Sequence, residues 1–155
     1  MTVVATGQCA CGEVAFALTK RPLFVHCCHC TWCQRESGTG FALNGIIEAS
    51  AVDLTRGAPV EVPVPSESGA GQVFSRCPTC QIAVWSVYSS PKLRFIRMGT
   101  LNERDQFPPD IHIYTSTKLP WVTLPPDVPS FPEFYRRSEQ WPADSLARRA
   151  AVMAE

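Results

Sequence analysis

The cysteines of this 155-residue chain lie in three short groups, and no cysteine lies outside them. The groups are Cys9-Ala10-Cys11, Cys27-Cys28-His29-Cys30-Thr31-Trp32-Cys33 and Cys77-Pro78-Thr79-Cys80. Clustered thiols are typical of disulfide frameworks in small secreted proteins, or of metal sites in reducing compartments. Residues 1–6 lack the basic start and the apolar stretch of a secretory signal, so we expect a cytoplasmic protein with free thiols.

The first and third groups predict one closed metal site. Two residues apart on an extended backbone, Cys9 and Cys11 project to the same face, and Cys77-x-x-Cys80 has the spacing of a zinc knuckle. A tetrahedral structural zinc needs two such pairs, so we predict a four-thiolate site that ties the N-terminal strand to the middle of the chain. Its ligands are Cys9, Cys11, Cys77 and Cys80. Two unrelated reduced thiol pairs, or a disulfide, are the alternative.

The central group predicts a second site of a different kind. Cys28 and Cys30 share one face of a predicted strand, and Cys33 returns to them from the first turn of a predicted helix. Three protein ligands leave a fourth tetrahedral position for water or substrate, which is typical of a catalytic zinc. By the same alternation Cys27 and His29 point to the opposite face, and we predict that Cys27 is a small core residue.

Two alternatives remain open for the central group. A fourth ligand from Cys27, His26 or His29 would close the site and make it a second structural zinc. A redox dithiol at Cys30-x-x-Cys33 fits less well, because thioredoxin-type motifs lie in strand–helix–strand crossovers and this chain shows short strands and many prolines.

The hydrophobic pattern predicts a mainly β, single-domain fold with short helical turns. Strands are predicted at residues 13–19, 23–29, 41–47, 72–76, 82–87, 93–98 and 112–114, with an edge strand and an exposed loop within 56–71. Residues 30–37 predict a helix of at most two turns, which Gly38 ends as a left-handed cap.

The C-terminal part of the chain is rich in proline. From Pro120 onward the prolines exclude regular structure and predict an extended strap. Its aromatic anchors are Trp121, Phe131, Phe134 and Tyr135. We divide the chain into a zinc-binding domain, residues 1–135, and a C-terminal tail, residues 136–155, in which a short helix at 143–153 frays.

The charge balance argues against nucleic-acid and membrane partners. Fourteen Lys and Arg balance fourteen Asp and Glu, so no global field attracts phosphate or anionic lipid. Apolar runs such as Ile82-Ala83-Val84-Trp85 are far shorter than the roughly 20 residues that span a bilayer. The sequence does not fix the oligomeric state and is compatible with a homodimer.

With these groups in place, the sequence resembles the glutathione-dependent formaldehyde-activating enzyme family, which shares its domain with centromere protein V. The main motifs are Gly7-Gln8-Cys9-Ala10-Cys11-Gly12-Glu13-Val14, Cys28-His29-Cys30-Thr31-Trp32-Cys33-Gln34-Arg35-Glu36-Ser37-Gly38 and Phe74-Ser75-Arg76-Cys77-Pro78-Thr79-Cys80. Later matches are Met98-Gly99-Thr100-Leu101, His112-Ile113-Tyr114 and Lys118-Leu119-Pro120-Trp121-Val122. The resemblance spans about residues 7–135. Gln34 stands where family members commonly have arginine, and Gln81-Ile82 where they often have Gly-Thr.

The resemblance implies a β-tent built around two zinc ions. It implies that Cys9, Cys11, Cys77 and Cys80 hold a structural zinc. It also implies that Cys28, Cys30 and Cys33 hold an active-site zinc and are the catalytic residues. There glutathione and formaldehyde would combine into S-hydroxymethylglutathione, a carbon–sulfur lyase reaction written in reverse.

We therefore carry two functional hypotheses. The first is a zinc-dependent carbon–sulfur lyase acting on a thiol–aldehyde adduct, with a small thiol such as glutathione as its partner. The second is a zinc-stabilised binding module with two structural zincs and no catalysis. For the enzyme, Arg35 or Arg76 is a candidate to offset the charge of the thiolates, and His29 and His112 are candidate acid–base groups, although structural histidines are commoner.

Overall fold

The sheet order explains how distant cysteines come together. The computed structural model describes residues Met1–Glu155 and contains ten strands and three α-helices. The strands are β1 (Ala5–Gln8), β2 (Ala15–Leu18), β3 (Phe24–Cys28), β4 (Ala42–Glu48), β5 (Val52–Arg56), β6 (Val60–Val64), β7 (Gln72–Arg76), β8 (Ala83–Val87), β9 (Leu93–Arg97) and β10 (Ile111–Ile113). The helices are α1 (Thr31–Ser37), α2 (Arg137–Gln140) and α3 (Ala143–Ala154).

The strands form two sheets. A three-stranded sheet has the order β1-β2-β5, and a seven-stranded sheet has the order β10-β3-β4-β9-β8-β7-β6. Every pairing is antiparallel except that of β10 with β3, which is parallel. The mainly β, single-domain fold predicted from the sequence is confirmed.

Strands β1 and β5 were not predicted as separate elements, whereas the predicted edge strand is present. β1 and β5 both pair with β2, but β5 is mostly exposed and so lacks the apolar face that alternation would reveal. The predicted edge strand is β6, the last strand of the large sheet, where Pro63 is tolerated because an edge position does not require every amide to donate.

The short helix α1 begins and ends as its sequence predicts. Cys30 caps its N-terminus, with its Sγ accepting a hydrogen bond from the Cys33 amide at 3.3 Å. Gly38 ends it in the left-handed region with φ of 73°, and the Gly38 amide donates to the Gln34 carbonyl at 2.9 Å. A residue with a Cβ would be strained at this φ, which is why glycine suits the position.

The large sheet separates two hydrophobic clusters. On β3, Phe24 packs in one cluster and Val25 in the other, and on β4 the same is true of Ile46 and Ile47. All five residues of β3 are buried. Both faces of β3 and β4 are therefore covered, so neighbouring residues on these strands have different surroundings.

The C-terminal segment is more regular than its sequence suggests. We expected residues 143–153 to fray, but α3 packs on the sheet, with Ser145 Oγ donating to the Leu23 carbonyl at 2.7 Å. Arg148 also donates to both carboxylate oxygens of Glu48, at 2.9 and 2.7 Å, and the Glu48 side chain is only 3% exposed. A buried carboxylate needs such a partner, and that partner lies 100 residues away in sequence.

The division of the chain at residue 135 stays a prediction.

No helix in the structure combines the length and apolar character needed to cross a membrane.

Replacing Arg148 by alanine is expected to lower the free energy of unfolding by about 1–3 kcal/mol at neutral pH, because the buried carboxylate loses charge-assisted hydrogen bonds. Burial alone would raise the pKa of Glu48, but Arg148 holds that pKa below the ordinary 4.5. This stabilisation is complete above the ordinary pKa and is lost as the pH falls through the lower pKa of the folded protein. The destabilisation by R148A should therefore shrink in acid.

Urea denaturation at neutral and at acidic pH measures this effect. The matched control is Arg149→Ala, on the same helix, because Arg149 forms no salt bridge. Equal destabilisation by the two substitutions at neutral pH would contradict the role of the Glu48–Arg148 pair.

Candidate metal centres

Four of the predicted ligands lie together where β1 ends and β7 turns into β8. The sulfurs of Cys9, Cys11, Cys77 and Cys80 all lie within 4.8 Å of one another. The Sγ of Cys11 is 3.6 Å from that of Cys9 and 3.7 Å from that of Cys77. Backbone amides point at the cluster: Val14 donates to the Cys9 sulfur at 3.3 Å and Cys80 to the Cys77 sulfur at 3.5 Å.

The turn that carries Cys77 and Cys80 ends on an uncommon backbone conformation. Gln81 has φ of 63°, in the region that glycine adopts more easily. Its amide donates to the Cys77 carbonyl at 3.0 Å, and its side chain donates to the Pro78 carbonyl at 2.8 Å. Gln81 therefore adopts a positive φ at a position where glycine would do so more easily.

The three central thiols form a second cluster. Cys28 ends β3, Cys30 caps α1 and Cys33 lies in the first turn of α1, and their sulfurs lie within 4.8 Å of one another. All three side chains line a cavity of about 450 Å³. No fourth His, Cys, Asp or Glu atom belongs to this cluster.

The residues weighed as a fourth ligand do not join the three sulfurs. Cys27 and His29 lie on the opposite face of β3 in a separate buried cluster with His112. There the His29 Nε2 atom is 3.6 Å from the Cys27 sulfur and 2.9 Å from His112 Nδ1. None of these three lines the cavity, so the structure does not support His29 and His112 as acid–base groups for it.

His26 does reach the cavity, but as part of a different contact. Its Nε2 is hydrogen bonded to the Tyr135 hydroxyl, which also accepts a hydrogen bond from Trp141 Nε1 at 2.7 Å. Burial, with a smaller effect of Arg137, lowers the pKa of His26 to about 4, and burial raises that of Tyr135 to about 12. At neutral pH both groups are uncharged.

The donor sets of the two cysteine clusters fit a soft divalent ion such as Zn²⁺. Four thiolates match a closed tetrahedral site, and three thiolates beside a cavity match a site with one position left for another ligand. The crowded thiols need a cation to ionise together: hydrogen bonding from Cys30 and Cys33, and then burial, raises the pKa of the Cys28 thiol. An ion bound among them would remove that penalty.

A half-buried arginine that sequence analysis did not identify lines the same cavity as the central thiols. Arg97, at the end of β9, lines the cavity and donates to Asn44 Oδ1 at 2.7 Å. Its guanidinium is 4.8 Å from the Phe74 ring centroid. Burial lowers the pKa of Arg97, and attraction to Cys33 partly offsets that effect.

The two arginines named from the sequence lie elsewhere. Arg76 pairs with Glu36 and lines a different cavity, and Arg35 lines neither. No local pattern singles out Arg97, because it reaches the site through the pairing of β4 with β9, in which it faces Asn44.

Seven aromatic side chains line the cavity, together with polar side chains such as Glu67, Gln72 and Ser86. The aromatic side chains are Trp32, Tyr88, Phe95, Tyr114, Phe134, Tyr135 and Trp141. Of the predicted strap anchors, Phe134 and Tyr135 face the cavity, while Trp121 is 67% exposed and lies against Gly40 instead. The strap therefore contributes to the cavity through its later part.

Comparison with known proteins gives a family match over most of the chain. A family model described as glutathione-dependent formaldehyde-activating enzyme matches residues 4–117, a range that contains every cysteine of the chain. Among solved structures, the crystal structure of a Rhodobacter sphaeroides protein from a structural genomics programme is similar, with a TM-score of 0.48 and 19% sequence identity. The similarity covers 81% of this chain and 99% of that one. No curated protein sequence matches the chain.

Tyr135→Phe is expected to lower the free energy of unfolding by about 1–3 kcal/mol, because the buried Trp141 indole N–H and His26 lose their shared partner. The control is Tyr88→Phe, whose hydroxyl bonds to the exposed Ser68. That substitution should change the free energy of unfolding by no more than about 0.5 kcal/mol. Equal effects of the two in urea denaturation would show that the Tyr135 hydroxyl does not hold the strap.

Proposed function

The chain belongs to the glutathione-dependent formaldehyde-activating enzyme family, and we propose that it is a zinc-dependent carbon–sulfur lyase. Its substrate would be the adduct of a small thiol, such as glutathione, with an aldehyde such as formaldehyde. One observation carries the proposal: three cysteine sulfurs at the end of β3 meet at the wall of a cavity, without a fourth protein ligand. Three ligands beside a cavity are typical of a catalytic metal site.

The residues that would hold metal divide into two sets. Cys28, Cys30 and Cys33 would hold the ion at the cavity, and Cys9, Cys11, Cys77 and Cys80 a structural ion. Zinc at the cavity would supply positive charge that favours the thiolate form of a substrate thiol near the aldehyde carbon.

The reaction needs no oxidant or reductant. In the lyase direction the carbon–sulfur bond of the adduct breaks, the hydroxyl proton leaves, the carbon becomes a carbonyl and the sulfur takes up a proton. The reverse direction joins the thiol to the aldehyde. Holding the two partners together in one cavity accounts for acceleration, because proximity alone can lower a barrier by several kcal/mol.

Three features of the chain would assist this reaction. Arg97 offsets part of the negative charge of the three thiolates, which burial would otherwise disfavour. The aromatic walls reduce the access of bulk water, which strengthens the electrostatic interactions inside the cavity. The uncharged His26–Tyr135 pair lies at the cavity wall, so the charged groups of the lining are the sulfurs, the arginines and Glu67.

The metal assignment predicts the metal content of variants. The purified chain should contain about two zinc ions, one for each cysteine cluster. Cys77→Ser should lose one ion and much of the stability, because binding of a structural zinc contributes directly to folding. Cys33→Ser should lose the other ion at a smaller cost in stability.

Elemental analysis and thermal unfolding measure these outcomes. The matched control is Cys27→Ser, which changes a buried thiol on the opposite face of β3 and should keep both ions. Retention of both ions in Cys33→Ser would contradict the assignment at the cavity.

The activity is tested by two-dimensional exchange NMR of glutathione and formaldehyde. The metal-loaded chain should accelerate exchange between free and adduct forms, and Cys30→Ser should abolish the acceleration while Cys27→Ser keeps it. Exchange at the buffer rate in protein that carries both ions would contradict glutathione–formaldehyde chemistry and would leave another thiol adduct or a zinc-stabilised binding module.

A further inference from the structure

One wall of the cavity comes from chain beyond the region that the family model matches. The match ends at residue 117, yet Phe134, Tyr135, Arg137 and Trp141 all line the cavity. The matched region supplies the three sulfurs and Arg97, and the later segment adds these four side chains to the lining. Substrate selection can therefore differ in this chain while the sulfur cluster stays the same.

The walls of this cavity are suited to a large apolar group. Tyr88 and Phe95 meet edge to face at 6.1 Å between ring centroids. From the later segment, Phe134 stacks on Tyr135 at 4.6 Å, and the Phe134 side chain is still 48% exposed. A ligand ring beside Phe134 would cover an aromatic surface that the protein itself leaves open.

The two arginines of the cavity differ in their hydrogen bonds and ion pairs. Arg97 is hydrogen bonded to Asn44 and attracted to the Cys33 sulfur. Arg137, in contrast, forms no salt bridge, and its guanidinium lies 5.3 Å from the Trp141 ring centroid. Arg137 is half-buried and lines the cavity, so its guanidinium is available to pair with a carboxylate of a ligand there.

We propose that the cavity selects thiol–aldehyde adducts whose aldehyde part carries an aromatic or branched apolar group, with a carboxylate of the adduct held by Arg137. This inference rests on the proposed lyase function and names its substrate class. Such an adduct, RS–CH(OH)–R′, breaks its carbon–sulfur bond to give RSH and R′CHO, with the hydroxyl proton lost and the sulfur protonated. The formaldehyde adduct has hydrogen as R′ and would leave the rings without a partner.

The binding of two stable thioethers, which do not undergo the lyase reaction, distinguishes these substrate classes. S-methylglutathione stands in for the formaldehyde adduct and S-benzylglutathione for an aromatic aldehyde adduct. Titration calorimetry with the metal-loaded full chain should give at least about tenfold tighter binding of S-benzylglutathione, because its ring is buried among aromatic side chains.

Two pairs of variants assign this preference to residues. Phe134→Ala should lower the benzyl-to-methyl affinity ratio by about threefold or more, whereas Trp121→Ala, an exposed aromatic away from the cavity, should leave it unchanged. Arg137→Gln should weaken both ligands by about tenfold through loss of a charge-assisted pair. Arg136→Gln, a neighbour that does not line the cavity, should weaken neither.

The outcomes distinguish failure of the inference from failure of the function. Equal affinity for both thioethers, together with catalysed glutathione–formaldehyde exchange, would overturn the inferred substrate class and leave the lyase function intact. Equal effects of Arg137→Gln and Arg136→Gln would overturn the carboxylate contact. Absence of binding by both thioethers and of exchange would overturn the proposed function and this inference together.

Discussion

The structure depends on a strand that is buried on both faces. β3 lies between β10 and β4, and all five of its residues are buried. Because successive side chains of a strand point to opposite faces, Cys28 lies on the cavity side, and Cys27 and His29 lie with His112 on the other. A slip of one residue in register would exchange these two sets. The pairing of β3 with its neighbours therefore determines which thiols reach the cavity.

The features that could be predicted from the sequence depend on residues that lie close together along the chain. The alternation that separates Cys28 from Cys27, and the cap that Gly38 forms on α1, each depend on a few neighbouring residues. The same is true of each cysteine pair in the four-sulfur cluster, although joining the two pairs required the argument that a tetrahedral ion needs four ligands. Proximity of these sulfurs follows from local geometry combined with ligand chemistry.

Sequence reasoning failed where a contact joins distant parts of the chain. Arg97 meets Asn44 across 53 residues, and Tyr135 meets His26 across 109. Neither spacing nor periodicity carries information about such partners. Proximity in sequence was misleading for Arg76, which adjoins Cys77 but pairs with Glu36 outside the cavity. The walls of a site are set by tertiary packing and therefore by the whole fold.

The central claim is that the three sulfurs at the cavity hold a metal ion within reach of the cavity's ligand, while the four-sulfur cluster is closed. Cadmium-113 NMR of the cadmium-loaded chain tests it most directly. We expect two cadmium resonances, one for each cysteine cluster, and Cys33→Ser should remove the resonance of the three-sulfur cluster. S-methylglutathione should shift this resonance in the unsubstituted chain and leave the resonance of the four-sulfur cluster unchanged. If S-methylglutathione shifts neither resonance, or shifts only the one that remains in Cys33→Ser, the central claim is wrong.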